Sequence, residues 1–272
     1  MKKHHSRPNP DSIKLIISDL DGTLLLQDKS IPIGFYSLHQ QVLDRGIQFG
    51  IASGRQHATI ANLFQPIAKD TLIIAENGAY AALDKQVLVQ LGSPVQDYLP
   101  LLEHAQQLQN GYVMLCGESS AWIGNHNPEW YQNASMYYHN LRTTSNLFEV
   151  NDSIFKFSVC DFDGAATYSE PLFKGFEPEF SVVVSGPNWL DICKSGINKG
   201  AALRQIQQQW NILPEQTLVF GDYLNDIELF DLAWSVATAN AHPLVKEKAS
   251  EVSPYSNREF AVLRWLSEWL EA

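Results

Sequence analysis

Short apolar runs rich in β-branched residues alternate with stretches of helical period through the first third of this 272-residue chain, and the alternation returns in its last quarter. Leu15-Ile16-Ile17, Ile47-Gln48-Phe49-Gly50-Ile51 and Thr71-Leu72-Ile73-Ile74 read as central parallel strands, because a strand with one wet face would alternate polar and apolar residues. Between the first two runs, Pro32 stands where a helix would start, and Phe35, Leu38, Val42 and Leu43 recur at helical spacing until Gly46 stops it. That is a βαβ unit. The later stretch predicts a helix from Lys199 to Trp210, a strand Thr217-Leu218-Val219-Phe220, a short helix, a strand around Ser235-Val236-Ala237 and two closing helices.

Between these halves the texture changes. A helix is predicted from about Val95 to Leu108, followed by alternating strands near Tyr112 to Trp122, then Phe155 to Val159 and Phe180 to Val184. Period-two strands predict an α+β module whose sheet keeps one exposed face. The expected fold class is therefore α/β: a doubly wound, Rossmann-like parallel-sheet core formed by residues 1–82 and 188–272, with an inserted α+β cap over 83–187. Glu259 to Glu271 is expected to close the chain as a helix packing Phe260, Leu263, Leu266 and Leu270 on the core.

Charge and composition narrow the partners. With 19 Lys+Arg against 30 Asp+Glu, the net charge of −11 argues against nucleic acid. Apolar runs end after about half a dozen residues, far short of the ~20 needed to span a bilayer, so no membrane association is expected. The basic N-terminus leads into Pro, Asn and Asp instead of a signal-peptide core, which places the expected protein in the cytoplasm; a monomer or homodimer is expected. Cys116, Cys160 and Cys193 are too scattered for paired motifs and read as buried free thiols, while His4-His5 reads as a solvated end.

The chemistry-bearing residues lie at predicted strand ends. Asp19-Leu20-Asp21-Gly22-Thr23 follows the first strand. A turn would account for Asp-Gly alone, but the full five-residue string arises by chance in a chain of this length only about once in ten thousand. Ser53-Gly54-Arg55 follows the second strand and opens a helix near Gln56, which by itself reads equally as a simple helix cap or as a hydroxyl and free backbone N–H groups offered to an anion. Gly196-Ile197-Asn198-Lys199-Gly200 sets an ammonium at a helix start, where the macrodipole slightly disfavours it, which reads either as an exposed lysine or as a cation awaiting an anionic partner. Gly221-Asp222-Tyr223-Leu224-Asn225-Asp226 follows the strand Thr217 to Phe220, and a helical turn would bring Asp222, Asn225 and Asp226 toward one face. In an open α/β sheet, ligands bind beyond the carboxyl ends of the strands, so the four segments converge. Asp19, Asp21, Asp222 and Asp226 together would repel one another unless a divalent cation intervened, and an all-oxygen donor set favours Mg2+. Lys199, Ser53 and the Gly54 amide would then hold phosphate oxygens, which reads as phosphoryl transfer.

In this order of motifs the sequence resembles the haloacid dehalogenase superfamily, and within it the Cof-type phosphatases with an α+β (type IIB) cap. Asn77-Gly78-Ala79, Asn240-Ala241-His242 and Val245-Lys246 extend the match over nearly the whole chain. The resemblance implies Asp19 as the nucleophile that becomes an aspartyl-phosphate and Asp21 as general acid and base. It implies Mg2+ held by the Asp19 carboxylate, the Asp21 backbone carbonyl and the Asp222 carboxylate, with Asp226 supporting the metal. Ser53, Gly54 and Lys199 match phosphate-binding positions, and Asn225 a position near phosphate and metal. The implied activity is hydrolysis of small phosphorylated metabolites, sugar phosphates or phosphorylated cofactors, with a cap that closes over the site and selects the substrate. Tyr223, Ala237-Thr238-Ala239 and Glu259-Phe260-Ala261 depart from the family pattern without removing a catalytic group.

Two other readings remain open on sequence alone. Phosphohexomutases share this cap type, and a phosphometabolite-binding regulator would keep the pocket with little turnover. Trp122, His126, Trp130, Tyr137, Tyr138, His139 and Arg142 form an aromatic and cationic group within the inserted segment that reads either as a ligand platform or as cap core.

Overall fold

A computed structural model of the chain describes residues 7–124 and 128–271, so His4, His5 and His126 lie outside the described residues. Contacts divide the chain into two units, one of residues up to Ser53, Phe64–Val89 and Asn198 onward, the other of Gly54–Leu63 and Gln90–Ile197. The joins lie after Val89 and Ile197, several residues beyond the positions the texture change indicates. Tyr80–Leu83 and Gln86–Gln90 still belong to the first sheet, and Trp189–Lys194 belongs to the second. Apolar patterning marks these segments as strands but does not show which sheet they join.

The first unit is built on an eight-stranded sheet. Its order is Glu251–Val252, Trp234–Ala237, Thr217–Gly221, Leu15–Ser18, Gln48–Ala52, Thr71–Ala75, Tyr80–Leu83 and Gln86–Gln90. The first six are parallel, and Tyr80–Leu83 turns back antiparallel. Every residue of Leu15–Ser18, Thr71–Ala75 and Thr217–Gly221 is buried, as their unalternating apolar runs require. From Leu15–Ser18 the chain adds strands first in one direction and later in the other, so the topological switch point falls between Leu15–Ser18 and Thr217–Gly221.

Helix Phe35–Asp44 buries Phe35, Leu38 and Val42, and ends where the Gly46 and Ile47 N–H groups donate back to the Leu43 and Val42 carbonyls. The closing helix is Ala261–Leu270, which buries Val262, Trp265, Leu266 and Trp269. Phe260 is not on its core face as expected. It lies before the helix with φ of 63°, and Trp265 and Trp269 with Val262 and Leu266 carry the buried face. Burying side chains of this size contributes about 1.5–3 kcal/mol each.

The second unit has a seven-stranded sheet in which Phe180–Gly186, Trp189–Lys194, Ser153–Asp161, Gly111–Gly117, Ala121–Gly124 and Leu141–Thr144 follow in order, with Ser93–Pro94 pairing Ser153–Asp161. The expectation of one exposed face is not met. Val95, Tyr98, Leu101, Leu115, Phe157, Phe173 and Ile192 pack as one cluster, and Met114, Cys116, Ile123, Trp130, Ala134, Tyr138 and Cys160 as another. Helix Pro128–Ser135 supplies Trp130 and Ala134 to the second cluster, so Trp130 and Tyr138 are core residues. All three cysteines are buried, and among the described residues no helix is long and apolar enough to cross a membrane.

Candidate active site

The parallel register sets the site. Ser18 is level with Phe220 on one side and Ile51 on the other, and Ala52 is level with Ile74. Asp19, Asp222 and Ser53 therefore follow neighbouring strands within two residues of the same level. The Asp19 N–H donates to the Phe220 carbonyl at 3.0 Å, which carries the pairing one residue past the strand. On the other side the Ser53 N–H donates to the Ile74 carbonyl at 2.9 Å, and the Asn77 N–H to the Ser53 carbonyl at 3.0 Å.

Lys199 stands at the centre of the side-chain cluster. Asn198 caps the helix Lys199–Trp210 by accepting from the Ala201 N–H at 2.7 Å. The Lys199 Nζ donates to Asp19 Oδ1 at 2.6 Å and to Asp226 Oδ1 at 2.7 Å, with all three side chains buried or nearly so. These carboxylates supply the compensation that an ammonium at a helix N-terminus needs. Burial alone would depress the lysine, but Asp19 and Asp226 outweigh it and hold the ammonium above the ordinary lysine range.

Asp226 also orients its neighbour. Its Oδ2 accepts the N–H groups of Asp222 and Tyr223 at 3.0 and 3.1 Å, closing the turn Leu224–Asp226. Asp222 Oδ1 accepts the Thr23 hydroxyl at 2.8 Å, which ties the loop after Leu15–Ser18 to the loop after Thr217–Gly221. One oxygen from each of Asp19, Asp222 and Asp226 falls within 4.8 Å of the others. Burial and the neighbouring carboxylates push Asp19 well above the usual carboxylate range, and burial with Asp226 pushes Asp222 up to about 6. Three carboxylates against one ammonium leave an excess of negative charge in a buried space. Hard oxygen donors with that deficit fit a divalent cation.

The remaining sequence-predicted residues are placed differently. The Asp21 carboxylate is outside the three-carboxylate group and accepts from Lys29 Nζ at 2.7 Å. Asn225 Nδ2 donates to Asn77 Oδ1 at 3.3 Å. Ser53 is 3% exposed, whereas Gly54 is held within the second unit, where its carbonyl accepts from Lys156. Sequence reasoning did not single out Thr23, Lys29 or the support given by Asn240. The Asn240 amide donates to the Gly22 carbonyl at 2.8 Å and accepts the Asn257 N–H at 2.9 Å, bracing the turn that carries Asp21. Thr23 and Asn240 both sit inside recognised motifs, so a signal was present; Lys29 carries none.

A two-directional parallel sheet with acidic residues and a buried lysine past its switch point puts this cluster where open α/β sheets bind their ligands. The chain belongs to the haloacid dehalogenase-like hydrolase family, whose model matches residues 16–266. Two relatives bear the same activity in their names. The 5-amino-6-(5-phospho-D-ribitylamino)uracil phosphatase YbjI of Escherichia coli is 30% identical over 91% of this chain and 93% of its own length. The 5-amino-6-(5-phospho-D-ribitylamino)uracil phosphatase YcsE of Bacillus subtilis is 26% identical over 95% and 96%. The solved structure of SMU.1108c from Streptococcus mutans has a TM-score of 0.87 at 25% identity, covering 96% of this chain and all of that one. The protein is a phosphatase of this family, a phosphoric monoester hydrolase.

Proposed function

We propose that the protein is a Mg2+-dependent phosphatase that hydrolyses small phosphorylated metabolites through an aspartyl-phosphate on Asp19. The observation that supports this most is the cluster of Lys199 with Asp19, Asp222 and Asp226, which sets a carboxylate nucleophile beside a fixed cation in a charge-deficient space. Asp19 attacks phosphorus and the ester oxygen leaves; water then attacks the acyl phosphate and regenerates the carboxylate. Asp21 gives a proton to the departing alkoxide and takes one from the attacking water. Lys199 offsets the repulsion between carboxylate and phosphate, while the Ser53 hydroxyl, the Gly54 N–H and Asn225 bind the equatorial oxygens. Mg2+ held by Asp19, Asp222 and the Asp21 carbonyl, with Asp226 behind them, would add Lewis-acid charge stabilisation to those donors. Choice of leaving group is assigned to the inserted unit.

The two ribitylaminouracil phosphatases make the phosphate ester of a polyol joined to a heterocycle the first substrate to try. Phosphate release should be measured over a panel of sugar phosphates, phosphorylated cofactors, that ester and an aryl phosphate, with and without Mg2+. Asp19→Asn is expected to lose about three or more orders of magnitude in kcat. Wild-type turnover in that variant would sink Asp19 as nucleophile, and phosphate returned to a hexose hydroxyl instead of water would turn the reading to a mutase.

A further inference from the structure

Within the second unit, one buried cation points at a main-chain carbonyl. Lys156 lies in the strand Ser153–Asp161 and is 1% exposed. Its Nζ donates to the Gly54 carbonyl at 2.7 Å, whereas the nearest oxygen of Asp191 is 3.4 Å away. Asp191 is itself held from the other side, with Oδ1 accepting the Ser158 hydroxyl at 2.7 Å. Strand register accounts for the grouping. Lys156 and Ser158 share a face, and Ser158 is level with Asp191 on the adjacent strand. The Tyr138 ring lies 5.9 Å from the ammonium. A buried ion pair contributes little net stability over an apolar pair of the same volume, so retaining one calls for another use. Here the shorter contact of the ammonium is to the peptide.

That peptide follows Ser53. The segment after it is fixed in the same unit by Gln56, whose amide exchanges hydrogen bonds with the backbone of Asn140 at 3.0 and 3.2 Å, and by Thr59, bonded to the Tyr137 carbonyl and the His139 N–H. We propose that Lys156 is a positioning residue for the phosphate-binding turn: by holding the Gly54 carbonyl it fixes the orientation in which Ser53 and the Gly54 N–H meet a phosphoryl group. The proposal rests on the assignment of Ser53 and Gly54 as phosphate donors made above. A displaced donor weakens phosphate binding in the ground state and more so in the transition state, where small misplacements cost up to about a hundredfold.

The test compares Lys156→Met/Asp191→Asn, which removes both charges and keeps an acceptor for Ser158, with Lys156→Gln, which retains an N–H donor for the Gly54 carbonyl. Ser53→Ala is made alone and combined with the first pair. Folding is checked by circular dichroism and thermal melting, and kcat, KM and the inhibition constant of inorganic phosphate are measured with Mg2+. The double variant is expected to fold, to lose about 10- to 100-fold in kcat/KM and to bind phosphate about tenfold more weakly, while Lys156→Gln recovers most of both. In the Ser53→Ala background the same pair should change kcat/KM by a clearly smaller factor than in wild type, because only the Gly54 N–H is left for it to position. Full additivity, or a folded double variant with unchanged kinetics, overturns the proposal while leaving the phosphate site intact. Misfolding of both the double variant and Lys156→Gln also overturns it, by making Lys156 a purely structural residue. Wild-type kinetics in Ser53→Ala alone removes the phosphate reading of Ser53 and the proposal with it.

Discussion

Gly22 and Asp222 are packed so closely that a Cβ on Gly22 would fall 2.8 Å from the Asp222 Cγ and nearer still to Oδ2. The Gly22 φ of +88° lies in the left-handed region that disfavours every other residue. Together with the Thr23 hydroxyl on Asp222 Oδ1, this packing makes the Asp19-to-Thr23 turn one wall of the acidic cluster. Gly22→Ala should therefore combine backbone strain of about 1–3 kcal/mol with displacement of the Asp222 carboxylate. The expected outcome is a folded but less stable protein with kcat/KM reduced at least about a hundredfold, read from urea midpoints and phosphate release.

Lys199 is the counter-charge for Asp19 and Asp226 in a space with almost no solvent. Lys199→Met leaves both carboxylates without that partner, and breaking a buried pair from one side costs about 3–5 kcal/mol. A large drop in the unfolding midpoint at neutral pH is expected, together with loss of phosphatase activity. A variant as stable as wild type would mean that the cluster is already neutral without the lysine.

Binding of Mg2+ to the native state alone should raise the melting temperature. At a hundredfold excess over Kd the linkage amounts to about 2.7 kcal/mol, several degrees for a protein of this size. Asp222→Asn should lose most of the shift, and removal of the metal with a chelator should reverse it in wild type. Differential scanning calorimetry with Ca2+ and Na+ controls separates a site effect from ionic strength.

His39 is buried against Phe35 and Phe49, with Nε2 3.0 Å from Thr71 Oγ1, and burial lowers its pKa below the ordinary 6.5. The unfolded chain then binds the proton more readily than the folded one, so stability is full above about pH 6.5 and falls as pH drops below it. Wild type should lose stability relative to His39→Gln between about pH 7 and pH 5, by no more than about 1.4 kcal/mol per pH unit. Parallel urea titrations across that range check the sign.

The sequence by itself determined the βαβ grammar, the inserted unit and the motif residues, because these are local signals: apolar period, turn chemistry and short strings such as Asp19-Leu20-Asp21-Gly22-Thr23. It also placed Lys199 at a helix start and asked for an anion there. Tertiary structure alone decided which anions answered, since Asp19 and Asp226 lie 180 and 27 residues from the lysine and meet it only through strand register. It decided as well that the Asp21 carboxylate turns to Lys29 and stays out of the three-carboxylate group, that helix Pro128–Ser135 covers a sheet face expected to be wet, and that Lys156 reaches the Gly54 carbonyl. A periodic pattern records which residues are buried; it does not record what they are buried against.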